Sequence, residues 1–183
     1  MSEPSLAEKV VALDEALASA GLPHAFGGAL ALAYYAEPRA TIDVDLNVFT
    51  SPSESDAVRT ALEPLGVDPS NAPAALIDRD GQGRWWWGRT PIDLFFAYDP
   101  IHDEMAREVR RMPFGAAEIP VLSPEHLAVC KAMFDRTKDW IDIDQIIAGT
   151  PDLDSSQITS WLERMVGGDD ERSRRFAELS RRT

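Results

Sequence analysis

The stretch that decides the fold runs from Pro23 to Thr50 and reads PHAFGGALALAYYAEPRATIDVDLNVFT. It begins with a short apolar strand, Ala25-Phe26, which leads into the paired glycines Gly27-Gly28 and a helix-prone segment, Ala29–Ala36. From Thr41 to Phe49 the residues alternate between apolar and polar, which is the period of a strand with one buried face. The predicted order is therefore strand, glycine turn, helix and strand.

The alternating strand carries two acids on its polar face. The apolar face is predicted to be buried and consists of Ile42, Val44, Leu46 and Val48. The polar face consists of Thr41, Asp43, Asp45 and Asn47. Alternate residues of a strand lie about 6.5 Å apart, so both carboxylates can reach the same ions. Carboxylate pairs of this kind suit Mg²⁺, which activates an attacking hydroxyl and stabilises a leaving pyrophosphate.

The glycine pair makes this reading more specific, because it stands fifteen residues before Asp43. Glycines let the backbone approach phosphate oxygens, and Gly27 and Gly28 are predicted to cradle them. Asp93, an isolated acid in the apolar strand Pro91–Ala97, is predicted to complete the metal site from a neighbouring strand and to help activate the acceptor. The alternative for Asp93 is a strand-end acid that faces water.

The other helices and strands are predicted from helix-capping residues and from glycine and proline, which end regular elements. Ser5 and Glu8 have the spacing of a capping box, and the apolar stripe behind them predicts a first helix that stops at Gly21. A helix is predicted from Ser53 to Pro64. The connection Pro69–Ala75 is predicted to lead into a strand, followed by the glycine-rich turn Asp80–Gly83.

Helices dominate the last third. A helix with Met105 and Val109 on its inner side and a short strand near Ile119 are predicted first. Helix caps are then predicted at three positions, Ser123-Pro124, Asp154 and Asp169. The prediction is one α+β domain over residues 1–183, with a catalytic core over about 1–121 and a small helical part over about 122–183.

Composition limits the classes of function. The 183 residues include 44% hydrophobic and 27% charged residues, values typical of a globular domain. The sequence has neither a run of about eighteen apolar residues nor a basic, apolar N-terminus, so we expect no membrane span, no export signal and a cytoplasmic location. The lone Cys130 is expected to be a small buried hydrophobe.

The net charge of −13 argues against a broad nucleic-acid-binding surface, because phosphate neutralisation needs clustered basic residues. A local basic patch remains between Glu171 and Thr183, where five arginines accompany two acids. This segment is either an RNA contact or a solvated end helix.

A family resemblance joins these observations. The segment from Gly27-Gly28 through Arg39 and Thr41 to Asp43 and Asp45 resembles the signature of the DNA polymerase β-like nucleotidyltransferases, and more narrowly the AbiEii-type toxins. The later segment of the resemblance contains Lys131, Arg136, Lys138, Asp139 and Asp142. The resemblance implies a minimal nucleotidyltransferase fold, in which a mixed sheet is flanked by helices. It also implies an NTP substrate and Mg²⁺ or Mn²⁺ as cofactor.

The sequence allows two roles for several of the basic residues. The expected nucleotide-binding residues are Gly27, Gly28, Arg39, Thr41, Lys131, Arg136 and Lys138. The three later cations either neutralise the triphosphate or belong to a surface helix with salt bridges to Asp135, Asp139 and Asp142. Arg39 either contacts nucleotide or braces the acidic strand by pairing with an acid.

The aromatic and imidazole side chains are expected to be mainly structural. Trp85, Trp86 and Trp87 either split between core and surface or offer a ring on which a base stacks. The three histidines, His24, His102 and His126, lack metal-ligand spacing and are taken as structural.

The reaction expected is transfer of an NMP from a metal-bound NTP to a hydroxyl, with release of pyrophosphate. The expected acceptor is RNA, such as a tRNA 3′ end, in a toxin–antitoxin setting with a cognate antitoxin protein. The alternative acceptor is a small cationic molecule such as an aminoglycoside, which an acidic surface attracts. A catalytically silent binding protein with this fold is the third reading.

Overall fold

The computed structural model describes residues 3–69 and 74–181. The strands in these ranges are β1 (His24–Phe26), β2 (Val44–Val48), β3 (Val67–Asp68), β4 (Gln82–Trp87), β5 (Thr90–Phe96), β6 (Arg110–Phe114) and β7 (Ala117–Val121). The α-helices are α1 (Leu6–Ser19), α2 (Gly28–Leu32), α3 (Ser55–Leu62), α4 (Ala74–Asp80), α5 (Ile101–Arg107), α6 (Pro124–Phe134), α7 (Thr137–Gly149), α8 (Ser155–Val166) and α9 (Glu171–Ser180). None of these helices is long and apolar enough to cross a membrane.

The contacts divide the chain into two compact units. The first, which we call the sheet unit, consists of Met1–Leu30 and Ala40–Val121. The second, the helical unit, consists of Ala31–Arg39 and Leu122–Thr183.

The seven strands form one mixed sheet in the order β3-β4-β5-β2-β1-β7-β6. β2 pairs in parallel with β5, and β1 pairs in parallel with β7. The other neighbours are antiparallel. The mixed sheet with accompanying helices confirms the predicted α+β class.

β2 lies in the middle of the sheet and is shorter than predicted. Its apolar residues Val44, Leu46 and Val48 are fully buried, as the alternation predicts. Ile42, in contrast, is 77% exposed, because the strand begins only at Val44. The Thr41 hydroxyl bonds to Asp43, and such local side-chain bonds compete with the sheet ladder.

Other boundaries also differ from the prediction. The strand predicted after Ala75 is wrong, since residues 74–80 form α4, and the edge strands β3 and β6 were not predicted. An edge strand can remain largely exposed, and β6 has no buried residue. Its sequence therefore lacks the apolar alternation from which a strand is predicted. The helix predicted over Ala29–Ala36 ends at Leu32. Residues 70–73 of the connection predicted over Pro69–Ala75 lie outside the described ranges.

The predicted helix caps are confirmed at three of four places. Ser5 and Glu8 form a complete capping box on α1, Ser123 caps α6, and Asp154 caps α8. The cap of α9 is Asp170 rather than Asp169. Asp169 and Asp170 are equally good capping residues in the sequence, and the residue at which α9 begins decides which of them is the cap.

The helical unit has its own apolar core. The fully buried side chains at its centre are Ala128, Ala132, Ile143, Ile146, Ile158, Leu162 and Phe176. The guanidinium carbon of Arg175 lies 4.5 Å from the ring centroid of Trp140, which joins α9 to α7. The helices that bear the basic residues of this unit are therefore packed around a common apolar core.

A buried lysine ties the N-terminal segment to the sheet. Lys9 is 1% exposed, and its ammonium donates to Glu3, to the Trp87 carbonyl at 2.8 Å and to the Thr90 hydroxyl at 2.9 Å. Each of its three protons therefore has an acceptor, which makes burial of the charge tolerable. Glu3 also accepts from the backbone N–H of Arg89.

This arrangement predicts an acid-dependent loss of stability. The Lys9 ammonium and the Arg89 N–H lower the pKa of the Glu3 carboxyl from 4.5 to about 2. Because the folded-state pKa is depressed, the stabilisation is complete above about pH 4.5 and disappears as the pH falls toward 2. We expect Glu3→Gln to lower the free energy of unfolding at pH 7, and the difference from wild type to shrink over that range.

Urea titrations of both proteins at several pH values measure this difference. Glu15→Gln is the matched control, since Glu15 lies exposed on the helix that contains Lys9. A Glu3→Gln difference that stays constant down to pH 3 would contradict the account.

Candidate functional site

The candidate site is built on one rung of the sheet. Asp45 of β2 is the register partner of Asp93 on the parallel strand β5, and Asp93 is the register partner of Arg84 on β4. Register partners project from the same face, and neighbouring strands lie about 4.8 Å apart. Asp45, Asp93 and Arg84 therefore form a row across three adjacent strands, with the two carboxylates side by side.

Asp43 stands at the entrance of β2, two residues before Asp45 and just outside the ladder. Its carboxylate accepts a hydrogen bond from the Thr41 hydroxyl. This bond fixes the carboxylate and gives Thr41 a definite role beside it. Asp43, Asp45 and Asp93 are all partly exposed, so an ion from solvent can reach them.

The glycine turn comes into direct contact with Asp45. β1 ends at Phe26, and the Gly27 N–H donates to the Asp45 carbonyl at 2.9 Å. Gly28 has a φ of +52°, and a Cβ on it would lie 1.7 Å from Asp45 Oδ2. Any side chain here would have to displace the Asp45 carboxylate, and the positive φ of Gly28 is itself strained for residues other than glycine.

Arg84 holds Asp93 with two parallel hydrogen bonds. Its Nε and a terminal nitrogen donate to Oδ1 and Oδ2 of Asp93, each at 2.6 Å. These bonds, followed by the nearby charges of Asp43 and Asp45, raise the pKa of the Arg84 guanidinium. Arg84 therefore places a cation directly beside this group of acids.

Sequence reasoning missed Arg84, although a signal was present. Trp87 and Thr90 pair across the two-residue turn Gly88-Arg89. Counting three residues along each strand from that pair places Arg84 opposite Asp93. Reading Gly88-Arg89 as a hairpin turn would have revealed the pair.

The carboxylates of Asp43, Asp45 and Asp93 are suitable ligands for a hard divalent cation, although the three do not converge on one point. Carboxylate oxygens of Asp43 and Asp45 are ligands of the type that Mg²⁺ prefers. The space that a side chain at Gly28 would fill is occupied by the carboxylate of Asp45. Within residues 3–69 and 74–181, no three Asp, Glu, His or Cys side chains stand close enough to share an ion. Both oxygens of Asp93 face Arg84 instead.

In the helical unit, two of the predicted cations converge on one acid. The Lys131 ammonium is buried and donates to Asp142 Oδ2 at 2.6 Å. Arg39 donates to the same oxygen at 3.0 Å and remains 42% exposed. Truncating one partner of a buried pair of this kind costs about 3–5 kcal/mol, because the other charge is left without a partner in the interior.

The other two predicted cations lie at the start of α7. Arg136 binds Asp139 through Nε at 2.6 Å and lies over the Phe134 ring at 4.9 Å. Lys138 is exposed and makes no ion pair with the residues that the structure describes. Lys138 is therefore an exposed cation that no acid of the described residues engages.

The aromatic residues divide between core and surface. Trp85 is 2% exposed, whereas Trp86 and Trp87 are half-buried. Trp86 lies two residues from Arg84 on β4 and therefore on the same face as the acids. Cys130 is partly exposed rather than buried.

The histidines make local contacts. His24 Nε2 lies 2.9 Å from Asp14 Oδ1, and His126 Nδ1 lies 3.1 Å from the Ser123 hydroxyl. His102 Nδ1 lies 3.0 Å from the Asp99 carbonyl, and burial lowers the pKa of its imidazole.

The geometry agrees with a comparison against protein families. The model of the nucleotidyl transferase AbiEii toxin family, from a type IV toxin–antitoxin system, matches residues 11–181. The chain belongs to the AbiEii family. The match spans both units and confirms the resemblance found in the glycine turn and the acidic strand. No curated protein sequence matches this AbiEii-family chain.

Solved structures share the fold of the AbiEii-family chain. The antibiotic-resistance factor ANT(2″)-Ia in solution has a TM-score of 0.64 at 14% identity, covering 99% of this chain and 98% of that one. An antigenic nucleotidyltransferase-like protein from Paracoccidioides brasiliensis has a TM-score of 0.59 at 17% identity, with coverages of 97% and 94%. The lincosamide antibiotic adenylyltransferase LnuA has a TM-score of 0.54 at 12% identity, with coverages of 81% and 100%.

The contact between Gly28 and Asp45 predicts a selective loss of activity. In Gly28→Ala the new Cβ forces the Asp45 carboxylate to move, and a displacement of about 1 Å at a reacting centre costs about 100-fold in rate. Nucleotidyl transfer rates and thermal melting of the variant measure the two effects separately.

Gly66→Ala is the matched control. Gly66 also has a positive φ, +81°, but a Cβ added there would meet no atom within 4 Å, so Gly66→Ala should lose stability and keep its activity. Equal activity losses in the two variants would show that backbone strain, rather than the position of Asp45, is responsible.

Proposed function

We propose that the protein is a Mg²⁺-dependent nucleotidyltransferase that moves an NMP from an NTP to a hydroxyl acceptor and releases pyrophosphate. The observation that carries the proposal is the row of Asp45 and Asp93 on paired strands, with Asp43 beside it and Gly28 against Asp45. Membership of a nucleotidyltransferase family supports the same reaction.

In this proposal, Asp43 and Asp45 hold the ion and Asp93 joins them. When bound, the ion supplies charge neutralisation for the triphosphate and for the leaving pyrophosphate. Asp93 also accepts the proton of the acceptor hydroxyl, which a carboxylate within hydrogen-bond reach can do. Thr41 keeps Asp43 oriented through its hydroxyl.

The nucleotide-binding roles are proposed separately for the sheet unit and for the helical unit. Gly27 and Gly28 let the backbone approach phosphate oxygens; because the Gly27 N–H already donates to the Asp45 carbonyl, Gly27 contributes the turn rather than a phosphate hydrogen bond. Lys138 and Arg136 bind phosphate through accessible cations, since both side chains are exposed. Lys131 and Arg39 contribute by fixing Asp142 and by adding positive charge to the helical unit.

The acceptor that we propose is RNA, with a tRNA 3′ end as the specific target and a cognate antitoxin as the partner. The toxin–antitoxin description of the family supports this choice. Charge distribution limits where RNA binds: residues 1–30 and 40–121 contain 18 acidic and 8 basic side chains, whereas residues 31–39 and 122–183 contain 13 acidic and 10 basic ones. The helical unit is therefore the less repulsive surface for a polyanion. NTPs and tRNA are available in the cytoplasm, where we propose that the protein acts.

A small cationic acceptor such as an aminoglycoside is the second candidate. The excess of acids in the sheet unit favours it, because negative potential concentrates cations near the site. The fold shared with the resistance factor ANT(2″)-Ia supports the same candidate.

The decisive assay incubates the protein with Mg²⁺, each α-labelled NTP and either total RNA or an aminoglycoside panel. We expect label on RNA, complete loss on removal of the metal by EDTA, and a loss of at least about 100-fold in Asp43→Asn and in Asp45→Asn. The matched control is Asp56→Asn, since Asp56 is an exposed acid of α3 that pairs with Arg59.

Each outcome has a distinct meaning. Label on an aminoglycoside would select the second candidate. Activity near wild type in Asp45→Asn would overturn the site assignment. The absence of both transfer and NTP binding would leave a catalytically silent protein with this fold.

A further inference from the structure

Asp93 is a carboxylate of the row that a cation of the chain itself already occupies. Two nitrogens of Arg84 donate to its two oxygens at 2.6 Å each. A bidentate guanidinium engages one lone pair on each of the two oxygens, and its charge repels a metal ion that approaches the lone pairs that remain. A metal ion at Asp93 and the Arg84 guanidinium therefore compete for this carboxylate in its present arrangement.

The pair is also easy to open. The Arg84 side chain is 53% exposed, so its five N–H groups can be hydrated when it leaves. Asp93 is 16% exposed and stays attached to the inner strand β5. The exposed partner is therefore the mobile one, and the carboxylate remains in the row when the guanidinium departs.

Arg84 has a second effect while it is in place. The hydrogen bonds to Asp93 raise the pKa of the Arg84 guanidinium, and the charges of Asp43 and Asp45 raise it further. Asp45 and Asp93 lie side by side on paired strands, and neighbouring carboxylates repel each other unless a cation lies near them. Arg84 supplies that cation and offsets the repulsion.

We propose that Arg84 competes with the divalent cation for Asp93 and thereby weakens metal binding at the candidate site. This inference rests on the proposed function, since it assumes that the row of acids is a metal site. Arg84 is a positioning residue in this account: it acts through Asp93 and sets the metal concentration at which the third carboxylate becomes available.

Mn²⁺ binding tests the competition without any need for turnover. The free Mn²⁺ concentration, measured by electron paramagnetic resonance, gives the Kd of wild type, Arg84→Gln, and Asp93→Asn with and without Arg84→Gln. We expect Arg84→Gln to bind Mn²⁺ about fivefold more tightly, the size expected for release from a partly exposed ion pair. In the Asp93→Asn background, Arg84→Gln should change the Kd by less than about twofold.

Arg59→Gln is the matched control. Arg59 belongs to the same unit, pairs with an aspartate and has a side chain 46% exposed, so the substitution removes an equal charge at a similar exposure. Its Kd should stay within about twofold of the wild-type value. Circular dichroism and thermal melting confirm that each variant is folded.

The possible failures are distinguishable. If Asp45→Asn leaves the Mn²⁺ affinity unchanged, or if no variant binds Mn²⁺, the proposed function fails and the inference fails with it. If wild type binds Mn²⁺ through Asp45 but Arg84→Gln does not tighten it, only the inference is overturned. Tightening that persists in Asp93→Asn would show a long-range charge effect and would also overturn the competition.

Discussion

The parallel pairing of β2 with β5 is the constraint on which the site depends. It sets Asp45 opposite Asp93, and a shift of one residue in register would turn one of these side chains to the other face of the sheet. The buried residues Val44, Leu46 and Leu94 hold this register, because they fill the opposite face. The packing of the core therefore decides where the acids stand.

Placing acids side by side creates a charge problem that the chain resolves locally. Each of the two outer acids has a donor of its own: Thr41 for Asp43 and Arg84 for Asp93. Asp45 is confined by the backbone of Gly28. Each carboxylate is thus held by a neighbour within the chain, and both oxygens of Asp93 are engaged by Arg84.

Local sequence patterns predicted much of this structure. The capping box of α1, the buried face of β2 and the glycine turn depend on residues close together in the chain, so their signals are visible without the fold. The resemblance to the AbiEii family, carried by the same segment, proved correct. The α+β class followed from the order of these elements.

Features set by long-range contacts were harder to predict. Nothing near Lys131 in the sequence shows that its ammonium is buried on Asp142 rather than presented to solvent. α4 was mistaken for a strand because short apolar segments carry no clear period. Arg84 was missed because its significance depends on a hairpin register, which in turn depends on the turn at Gly88-Arg89.

The central claim is that Asp43 and Asp45 hold the metal ion of a nucleotidyltransferase site. The most direct measurement is the anomalous diffraction of crystals grown with Mn²⁺ and a non-hydrolysable NTP. The account predicts a manganese peak about 2.1 Å from carboxylate oxygens of both Asp43 and Asp45, with triphosphate oxygens completing the coordination. A bound triphosphate with no manganese peak at these two residues would contradict it.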